Sequence, residues 1–393
     1  MKKPSEALAD YQFQICRAGL QGRKPLLPVP IERLEELARE KIPVEAFDYI
    51  AGGAGSEATM RYNLAAFESW RIVPRMLRDV SRRNLNLELF DTPMPAPLLL
   101  APIGIQSIAH PEGELAVARA AGSLGVPLIY STAASRSIED VRSAAGDAPL
   151  WFQLYWPSRH DVTKSFLRRA ESAGCSALVV TLDTRMLGWR ERDLGNAYLP
   201  LLEGRGLDLY LTDPVFLGKL QKPPQEDPAA AIQEWTECFS DLSHTFADIT
   251  RLRESTSLPI ILKGIMHPDD ARLAVAHGAD GVIVSNHGGR QVDGGMAALD
   301  ALPGVVAAVE GQVPVLFDSG IRRGADVFKA LALGAQAVLL GRPYMWGLAS
   351  AGEDGVREVL QRLLADFDVT MAMSGYASLD ELGPAALAPS PRA

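Results

Sequence analysis

The sequence predicts a (β/α)8 TIM barrel, an α/β fold, and three observations lead to this fold class. Eight short apolar segments rich in β-branched residues follow one another along the chain. Segments with apolar residues at three- and four-residue spacing, as in amphipathic helices, alternate with them. The repeats together occupy about 250 residues, the length typical of this barrel. A doubly wound open sheet is the structural alternative, but no GxGxxG motif follows the first strand.

The predicted strands are continuous apolar runs, which is typical of a parallel sheet covered on both faces. In chain order they span residues 96–104, 126–132, 150–155, 177–183, 259–264, 281–286, 313–320 and 337–343. The segments with the clearest helical period between them are Glu112–Leu124, Ser158–Ala173, Pro268–His277 and Gly324–Leu333. The barrel domain is therefore predicted to occupy residues 96–383.

Three stretches lie outside the repeat. Residues 1–95 form an N-terminal helical segment, with predicted helices at Ile31–Glu40 and Val44–Ile50. A long loop, about residues 195–241, separates the fourth strand from the fifth, and we expect it to act as a lid on the catalytic face. Within it, residues 222–228 (KPPQEDP) predict an exposed, mobile turn. Residues 384–393 are a short tail rich in Pro and Ala, to which the sequence assigns no role.

The composition argues against several classes of protein. The 393 residues carry a net charge of −9 without a window dense in Lys and Arg, so nucleic acid is not an expected partner. The apolar runs are shorter than the roughly 18 residues that span a bilayer, and the first residues lack the apolar core of a signal peptide. The three cysteines have no CxxC or metal-ligand spacing, so no metal site is predicted. We expect a cytoplasmic protein without membrane contact.

Polar residues gather at the carboxyl ends of the predicted strands, where barrel enzymes place their chemistry. The element 285–291 (SNHGGRQ) sets His287 and Arg290 three residues apart on a glycine-rich turn. His287 is a candidate base and Arg290 a candidate carboxylate clamp. A lone histidine on such a turn is more often a solvated surface residue, but the other strand ends also carry polar groups. Besides His287 and Arg290, the residues at the strand ends and in the loops after them are Gly104, Ser131, Gln153, Tyr155, Thr181, Asp183, Arg190, Lys263, Ser285, Asp318, Gly320, Arg322, Gly341 and Arg342.

The last two strand ends predict a phosphate site. Residues 318–324 (DSGIRRG) follow the seventh strand and residues 340–343 (LGRP) follow the eighth. Glycine N–H groups and helix N-termini favour anions, and barrels often bind phosphate between these two strands. Lys263, after the fifth strand, allows two functional interpretations beside that of a surface lysine. It is either a Schiff-base nucleophile or a fixed charge beside a cofactor ring that becomes anionic on reduction.

Together these residues resemble the family of FMN-dependent L-2-hydroxy acid oxidising enzymes, which includes glycolate oxidase, lactate oxidase and lactate 2-monooxygenase. The resemblance rests on residues 152–155 (FQLY), 181–184 (TLDT), 262–264 (LKG), 285–291 and 318–324. It extends from residues 47–53 (FDYIAGG) to residues 373–376 (MSGY) and so covers almost the whole chain. It implies FMN as cofactor, a small 2-hydroxy acid and O2 as reactants, and a homo-oligomer, either a tetramer or an octamer.

The resemblance also implies a role for each site residue. His287 is expected to take a proton from the substrate as a hydride equivalent reaches the flavin, and Asp183 to orient its imidazole. Tyr155 is expected to bind the substrate hydroxyl. The residues implied in holding the substrate carboxylate are Tyr49, Arg190 and Arg290. Those implied in FMN binding are Pro102, Ile103, Gly104, Ser131, Gln153, Thr181, Lys263, Ser285, Asp318, Ser319, Gly320, Arg322, Gly341 and Arg342. Within that set Lys263 is the charge beside the ring, Asp318 holds the ribityl chain, and Gly320, Arg322, Gly341 and Arg342 hold the phosphate.

Three features bear on the outcome of the reaction. The long loop resembles that of lactate 2-monooxygenase, and Gly104 stands where many of the oxidases carry alanine. Ala133 stands where glycolate oxidase has tryptophan, which predicts a roomier substrate pocket. The leading hypothesis is a lactate 2-monooxygenase, which converts L-lactate and O2 into acetate, CO2 and water. The alternatives are an oxidase that releases the keto acid and H2O2, and a dehydrogenase acting on a larger 2-hydroxy acid.

Two further alternatives come from other classes of enzyme. One is a non-redox FMN protein such as a type 2 isopentenyl diphosphate isomerase, which shares the barrel. The other is a cofactor-free barrel aldolase that uses Lys263 as its nucleophile. His287 together with Arg190 and Arg290 argues against the isomerase, because a base beside two fixed cations suits a 2-hydroxy carboxylate. A colourless purified protein would favour the aldolase.

Overall fold

The computed structural model describes residues 8–390, and these contain a closed barrel of eight parallel strands. The strands are Leu98–Leu100, Leu128–Ser131, Leu150–Leu154, Leu178–Thr181, Ile260–Ile265, Gly281–Val284, Val315–Phe317 and Ala337–Leu340. Each strand pairs with its sequence neighbours, and the eighth pairs with the first. All eight predicted segments coincide with a barrel strand, the fifth of which ends one residue later than predicted, so the predicted fold class is confirmed.

Helices surround the barrel. The outer helices are Glu114–Leu124, Ile138–Ala145, His160–Ser172, Asp248–Arg253, Pro268–Ala276, Ala298–Val309, Gly324–Ala332 and Arg342–Met373. The last of these is interrupted at Ala351 and Gly352, whose backbone angles are not helical. The four helices predicted between strands are present, and their bounds differ from the prediction by two residues or fewer.

Two apolar cores hold these layers together. Alternate residues of a strand face opposite sides of the sheet. Leu99 therefore belongs to the core inside the barrel, together with Trp151 and Ile261, whereas Leu98 and Leu100 belong to the core between strands and helices. Because both faces are covered, the strands have no polar face, and this explains their continuous apolar sequence.

A hairpin of the N-terminal segment closes the amino-terminal end of the barrel. Its strands, Leu87–Leu89 and Thr92–Met94, pair antiparallel. Phe90, at the turn, packs edge-on against Trp151 with ring centroids 5.6 Å apart. A Cβ atom on Gly281 would lie 2.8 Å from the Phe90 ring, so the hairpin sits directly under the sixth barrel strand. The accessible end of the barrel is therefore the carboxyl end of its strands.

The N-terminal segment also contains four α-helices among the described residues, including the two predicted at Ile31–Glu40 and Val44–Ile50. Its helices are Tyr11–Gly19, Ile31–Lys41, Val44–Ala51 and Ala58–Glu68. Strand Trp70–Ile72 pairs antiparallel with Leu387–Pro389, so part of the predicted tail packs as a strand on this segment. Residues 1–7 of the predicted segment and 391–393 of the predicted tail lie outside the described residues. No helix within residues 8–390 combines the length and the apolar content needed to cross a membrane.

The stretch between the fourth and fifth barrel strands folds into short helices. They are Glu191–Gly195, Asp208–Leu211, Pro214–Leu217 and Pro228–Cys238. Buried Tyr210 meets the ring of Phe166, on an outer helix, edge-on at 4.8 Å. Asp213 caps the helix that follows it and accepts a hydrogen bond from Ser165 at 2.7 Å. Much of this stretch is thus packed against the outside of the barrel, and a lid function remains a prediction.

Candidate active site

One cavity at the carboxyl ends of the strands contains most of the predicted site residues. Its volume, including its mouth, is about 1110 Å³, which exceeds the roughly 300–1,000 Å³ common for small-ligand pockets. The predicted residues in its wall are Tyr49, Pro102, Ile103, Gly104, Tyr155, Arg190, Lys263, His287, Arg290, Asp318, Ser319, Gly320, Arg322, Gly341 and Arg342. Parallel strands ending at one face of the barrel therefore gather residues that are far apart in the chain.

The remaining predicted residues lie outside that wall. Ser131 donates to Gln153 at 3.0 Å, and Gln153 donates in turn to Thr181 at 2.9 Å. Buried Ser285 accepts a hydrogen bond from Lys263 at 2.9 Å. These four side chains thus have partners within the protein, and their contact with a flavin ring remains a prediction. The fifth residue is Asp183, which contacts His287.

His287 and Asp183 form a hydrogen-bonded pair. Nδ1 of His287 lies 2.8 Å from Oδ1 of Asp183 and 3.1 Å from Oγ1 of Thr184. The Thr184 hydroxyl also donates to Asp183 Oδ1 at 3.1 Å. With Asp183 accepting from Nδ1–H, the neutral ring carries its lone pair on Nε2. The arrangement therefore suits His287 as a base held in one tautomer.

The electrostatics of the pair favour a neutral imidazole beside an ionised carboxylate. Burial lowers the pKa of His287 below its ordinary value, and Asp183 offsets part of that effect. Burial opposes ionisation of Asp183, but the nearby His287 and Lys263 side chains, with hydrogen bonds from His287 and Thr184, lower the pKa of Asp183. At neutral pH His287 is thus ready to accept a proton.

Two arginines face this pair. Arg290 donates to the Gly52 carbonyl at 2.7 Å, and its guanidinium lies 5.3 Å from the centre of the Tyr49 ring. Burial and the nearby charge of Arg190 lower the pKa of Arg290 to about 10, so it stays charged at neutral pH. Burial raises the pKa of Tyr155 to about 12, so its phenol remains a hydrogen-bond donor. Two cations and a phenol beside a base fit a substrate that has a carboxylate and a hydroxyl.

Lys263 is held as a cation. Its ammonium lies 3.0 Å from Asp318 Oδ2. Burial opposes the charge of Lys263, but Asp318 and Asp183 outweigh burial and raise its pKa. A nucleophilic amine must be neutral, so this environment argues against the Schiff-base interpretation. It fits a fixed positive charge at the bottom of the cavity.

Arg322 and Arg342 form the other end of the cavity, where the phosphate is predicted. Within residues 8–390, neither guanidinium has a carboxylate within 4 Å, and burial lowers the pKa of both. Arg322 packs over the Trp346 ring at 5.1 Å. Arg342 uses three of its N–H groups on backbone carbonyls, including those of Gly52 at 2.8 Å and Gly288 at 3.0 Å. Two N–H groups remain for a ligand. Paired cations without a carboxylate partner fit the phosphate of a bound nucleotide.

Several apolar side chains also line the wall. Ala133, Leu187, Leu201 and Phe239 line the same cavity as His287. Phe239 lies against Tyr155, with ring centroids 5.4 Å apart. Leu201 and Phe239 come from the two ends of the stretch after the fourth strand, which thereby reaches the cavity.

The sequence missed several of these contributors. Thr184 directly follows Asp183, and its position after a strand end was an available signal. Gln291 orients Arg190 by accepting a hydrogen bond at 3.0 Å, and it donates to the Asp183 carbonyl at 2.7 Å. No local sequence pattern marks Leu201 and Phe239, because their positions depend on how the stretch between the fourth and fifth barrel strands packs.

Comparison with known proteins agrees with this geometry. Residues 38–389 match the family described as FMN-dependent dehydrogenase. The chain belongs to this family. It is 46% identical to an L-lactate oxidase of Lysinibacillus sphaericus, over 90% of this chain and 91% of that protein. It is 43% identical to an FMN-dependent alpha-hydroxy acid dehydrogenase of Penicillium citrinum, over 95% and 94% of the two chains. A crystal structure of mandelate oxidase is 40% identical, with a TM-score of 0.81 over 92% of this chain and 98% of that one.

Membership of the FMN-dependent dehydrogenase family confirms the predicted resemblance and the predicted cofactor. The protein is an FMN-dependent 2-hydroxy acid oxidoreductase. The cavity fits this cofactor, because it combines two arginines without carboxylate partners, a buried cation and an apolar wall. Membership of this family also argues against the isomerase and aldolase alternatives.

Proposed function

We propose that this enzyme oxidises L-2-hydroxy acids with an apolar side chain to 2-keto acids, using O2 and releasing H2O2. The observation that carries the proposal is the shared cavity of His287, the two arginines Arg190 and Arg290, and an apolar wall. Overall, RCH(OH)COO⁻ and O2 give RCOCOO⁻ and H2O2. Bound FMN supplies the two-electron chemistry that links the two halves of this reaction.

The chain's own groups bind and deprotonate the substrate. Arg190 and Arg290, assisted by the Tyr49 phenol, hold the carboxylate, and Tyr155 donates to the oxygen that becomes the carbonyl. His287 Nε2 takes a proton, and Asp183 stabilises the imidazolium that results. Lys263 would supply a fixed positive charge beside the FMN ring. Arg322 and Arg342, with the N–H groups of 319–320 and 341, would hold the FMN phosphate.

The size of the side-chain subsite favours substrates larger than glycolate. Ala133 leaves space that a bulkier residue would fill, and Leu201, Phe239 and Leu187 surround that space with apolar surface. Burial of an apolar side chain there contributes about 25 cal/mol per Å² of surface removed from water. The chain is similar to proteins named lactate oxidase and mandelate oxidase. We therefore choose lactate, with a methyl side chain, and mandelate, with a phenyl side chain, as test substrates.

A lactate 2-monooxygenase is the second candidate. It is supported by Leu201 and Phe239, because a stretch that reaches into the cavity from both ends can slow the departure of the keto acid. Retained pyruvate would then be decarboxylated by nascent peroxide, which gives acetate, CO2 and water. The homo-oligomer and the cytoplasmic location predicted above remain predictions.

Product analysis tests the proposal. The purified flavoprotein is given L-lactate or (S)-mandelate in air, with catalase present so that free peroxide cannot decarboxylate the keto acid. Products are quantified by NMR. Because catalase returns half of the O2 from the released H2O2, we expect two pyruvate or benzoylformate molecules for each O2 consumed. Acetate or benzoate as the main product would establish the monooxygenase instead. Anaerobic bleaching of the flavin without turnover in air would indicate a dehydrogenase with another acceptor, and no bleaching by any 2-hydroxy acid would overturn the proposal.

A further inference from the structure

A buried carboxyl group, Glu114, lies behind the cavity wall and takes no part in the chemistry above. It begins the helix Glu114–Leu124 and is 2% exposed. Its Oε1 accepts the backbone N–H of Gln106 at 3.2 Å and that of Ser135 at 2.9 Å. Gln106 belongs to the loop after the first barrel strand and Ser135 to the loop after the second. One carboxylate oxygen therefore ties the two loops together.

The two loops also meet directly, beside the cavity. The Ile105 N–H donates to the Ala133 carbonyl at 2.8 Å, and the Ser107 N–H donates to Ser135 Oγ at 3.3 Å. A Cβ atom on Gly104 would lie 2.6 Å from the same Ala133 carbonyl oxygen. The backbones thus approach as closely as glycine permits. Gly104 and Ala133 both line the cavity, so whatever holds the loops also sets this part of its wall.

A third segment docks at the same point. Gly206, with a φ of +79°, approaches so closely that a Cβ atom there would lie 2.7 Å from the Ala133 carbonyl oxygen. The Asp208 N–H donates to the Ala134 carbonyl at 3.4 Å. This segment also carries Leu201, which lines the cavity. The loops joined by Glu114 are therefore the support on which the apolar wall is placed.

Gln106 extends the network to the end of the first strand. Its Nε2 donates to the Ile103 carbonyl at 3.0 Å and to the Tyr344 hydroxyl at 3.4 Å, and that hydroxyl donates to the Ala101 carbonyl at 3.0 Å. Within the described residues, Oε2 of Glu114 and Oε1 of Gln106 are buried acceptors without a hydrogen-bond donor. A proton on Oε2 of Glu114 would make that oxygen a hydrogen-bond donor.

We propose that Glu114 is a positioning residue for this enzyme: its buried carboxyl group accepts one N–H from each of two loops and so holds the Gly104–Ala133 wall beside the substrate. The proposal rests on the function proposed above, because the wall in question is that of the substrate cavity. Glu114 does not contact the reacting atoms, and it acts through the backbone of the two loops.

The surroundings of Glu114 favour its protonated form near neutrality. Burial raises the pKa of Glu114 to about 7, while the N–H groups of Ser135 and Gln106 act in the opposite direction. The groups that face it are the Asp208 carboxylate, which adds to the rise, and the Tyr130 and Tyr344 phenols, whose own pKa values burial raises well above the ordinary range. The Glu114 pKa is higher in the folded protein than in the unfolded chain. Its stabilisation is therefore present at acidic pH and is lost as pH rises through about 7.

The test compares the wild-type holoenzyme with Glu114→Gln. The amide keeps an oxygen for the two backbone N–H groups, gains a donor and cannot ionise. Glu112→Gln is the matched control, since it removes an exposed carboxylate two residues away. We measure kcat/KM with L-lactate or (S)-mandelate and, separately, Tm without substrate, both from about pH 5.5 to about pH 9.

We expect wild-type kcat/KM to fall several-fold as pH rises through the Glu114 ionisation, and E114Q to lack that fall. The Tm of E114Q relative to the wild type should increase over the same interval, and E112Q should follow the wild type in both. A fall that persists in E114Q, with a Tm difference independent of pH, would contradict the part assigned to ionisation of Glu114.

If E114Q folds poorly, a second variant still tests the proposal. Glu114→Asp keeps an ionisable group but is too short to reach both N–H groups, so KM should rise several-fold with FMN still bound. An unchanged KM would contradict the positioning role. If no 2-hydroxy acid reduces the wild-type flavin, the proposed function fails, while the Tm comparison still decides whether Glu114 ionises as described.

Discussion

Nδ1 of His287 lies 2.8 Å from Oδ1 of Asp183, although 104 positions separate the two residues in the chain. The backbone of His287 adopts a φ of +58°, a left-handed conformation uncommon outside glycine. Its N–H donates to Ser285 Oγ at 3.0 Å, and Asn286 accepts from the Gly289 N–H at 3.1 Å. The surrounding turn thus holds an unfavourable backbone conformation and directs the imidazole at Asp183.

Replacing His287 tests the base directly. We expect His287→Gln to slow anaerobic flavin reduction by about 10²–10⁴-fold, because a positioned base is typically worth that much. FMN content, read from the visible spectrum, should be unchanged. His160→Gln is a suitable control, since His160 is exposed at the start of an outer helix. Reduction at the wild-type rate in H287Q would remove His287 from the mechanism.

The acidic side of the pH profile of kcat/KM should reflect the ionisation of His287. His287 must be neutral to act as a base, so kcat/KM rises as pH rises through its pKa, which burial places below the ordinary 6.5. Asp183→Asn removes the interaction that raises the pKa of His287. We therefore expect the acidic side of the profile to move to lower pH in D183N while kcat falls, as measured by steady-state kinetics across pH. Displacement toward higher pH would contradict this account of the pair.

Arg290 should matter for the substrate more than for FMN. Loss of a charge-assisted hydrogen bond costs about 1.5–3 kcal/mol, so Arg290→Met should raise KM by about 10–100-fold. FMN retention should be close to that of the wild type. Arg290→Lys keeps the charge without the planar fork and should give an intermediate KM. Equal KM values in all three proteins would argue against a carboxylate clamp.

Arg322 and its neighbour Arg323 form a natural comparison for FMN binding. Arg322 lines the cavity without a carboxylate partner among the described residues, whereas the Arg323 side chain is 59% exposed and pairs with Glu32. Arg322→Met should weaken FMN binding by about 10–100-fold, the effect of one lost charge-assisted contact. Arg323→Met should leave it unchanged. The Kd is measured by titrating the deflavinated protein with FMN. A similar loss in both variants would indicate general electrostatics instead of a phosphate site.

Gly104 should be intolerant of a methyl group. Because its Cβ would lie 2.6 Å from the Ala133 carbonyl oxygen, Gly104→Ala must push the two loops apart. We expect a loss of stability of about 1–3 kcal/mol, as for other overpacked sites. Gly195→Ala, where no atom lies within 4 Å of the added Cβ, is the control. Thermal unfolding of the holoenzymes compares them, and an unchanged Tm in G104A would contradict the close approach.

The sequence by itself determined the barrel and most of the residues in its cavity. Continuous apolar strands require a sheet covered on both faces, and parallel strand ends meet at one face. These two rules are enough to bring His287, Arg290, Lys263 and Arg322 together. The sequence also indicated the family, because residues 285–291 combine the base, the turn glycines and the clamp in one short element.

Only the tertiary structure decided the contributions that depend on packing between distant segments. Leu201 and Phe239 reach the cavity because the stretch around them docks on the barrel, and no local pattern specifies that docking. The sequence did not identify Glu114 as a positioning residue for the same reason. On a predicted helix it reads as an ordinary polar residue, and its importance comes from two loop N–H groups that converge on one oxygen in an apolar environment. Local sequence specifies secondary structure and the ends of strands, whereas burial and its electrostatic consequences arise when separate segments close on one another.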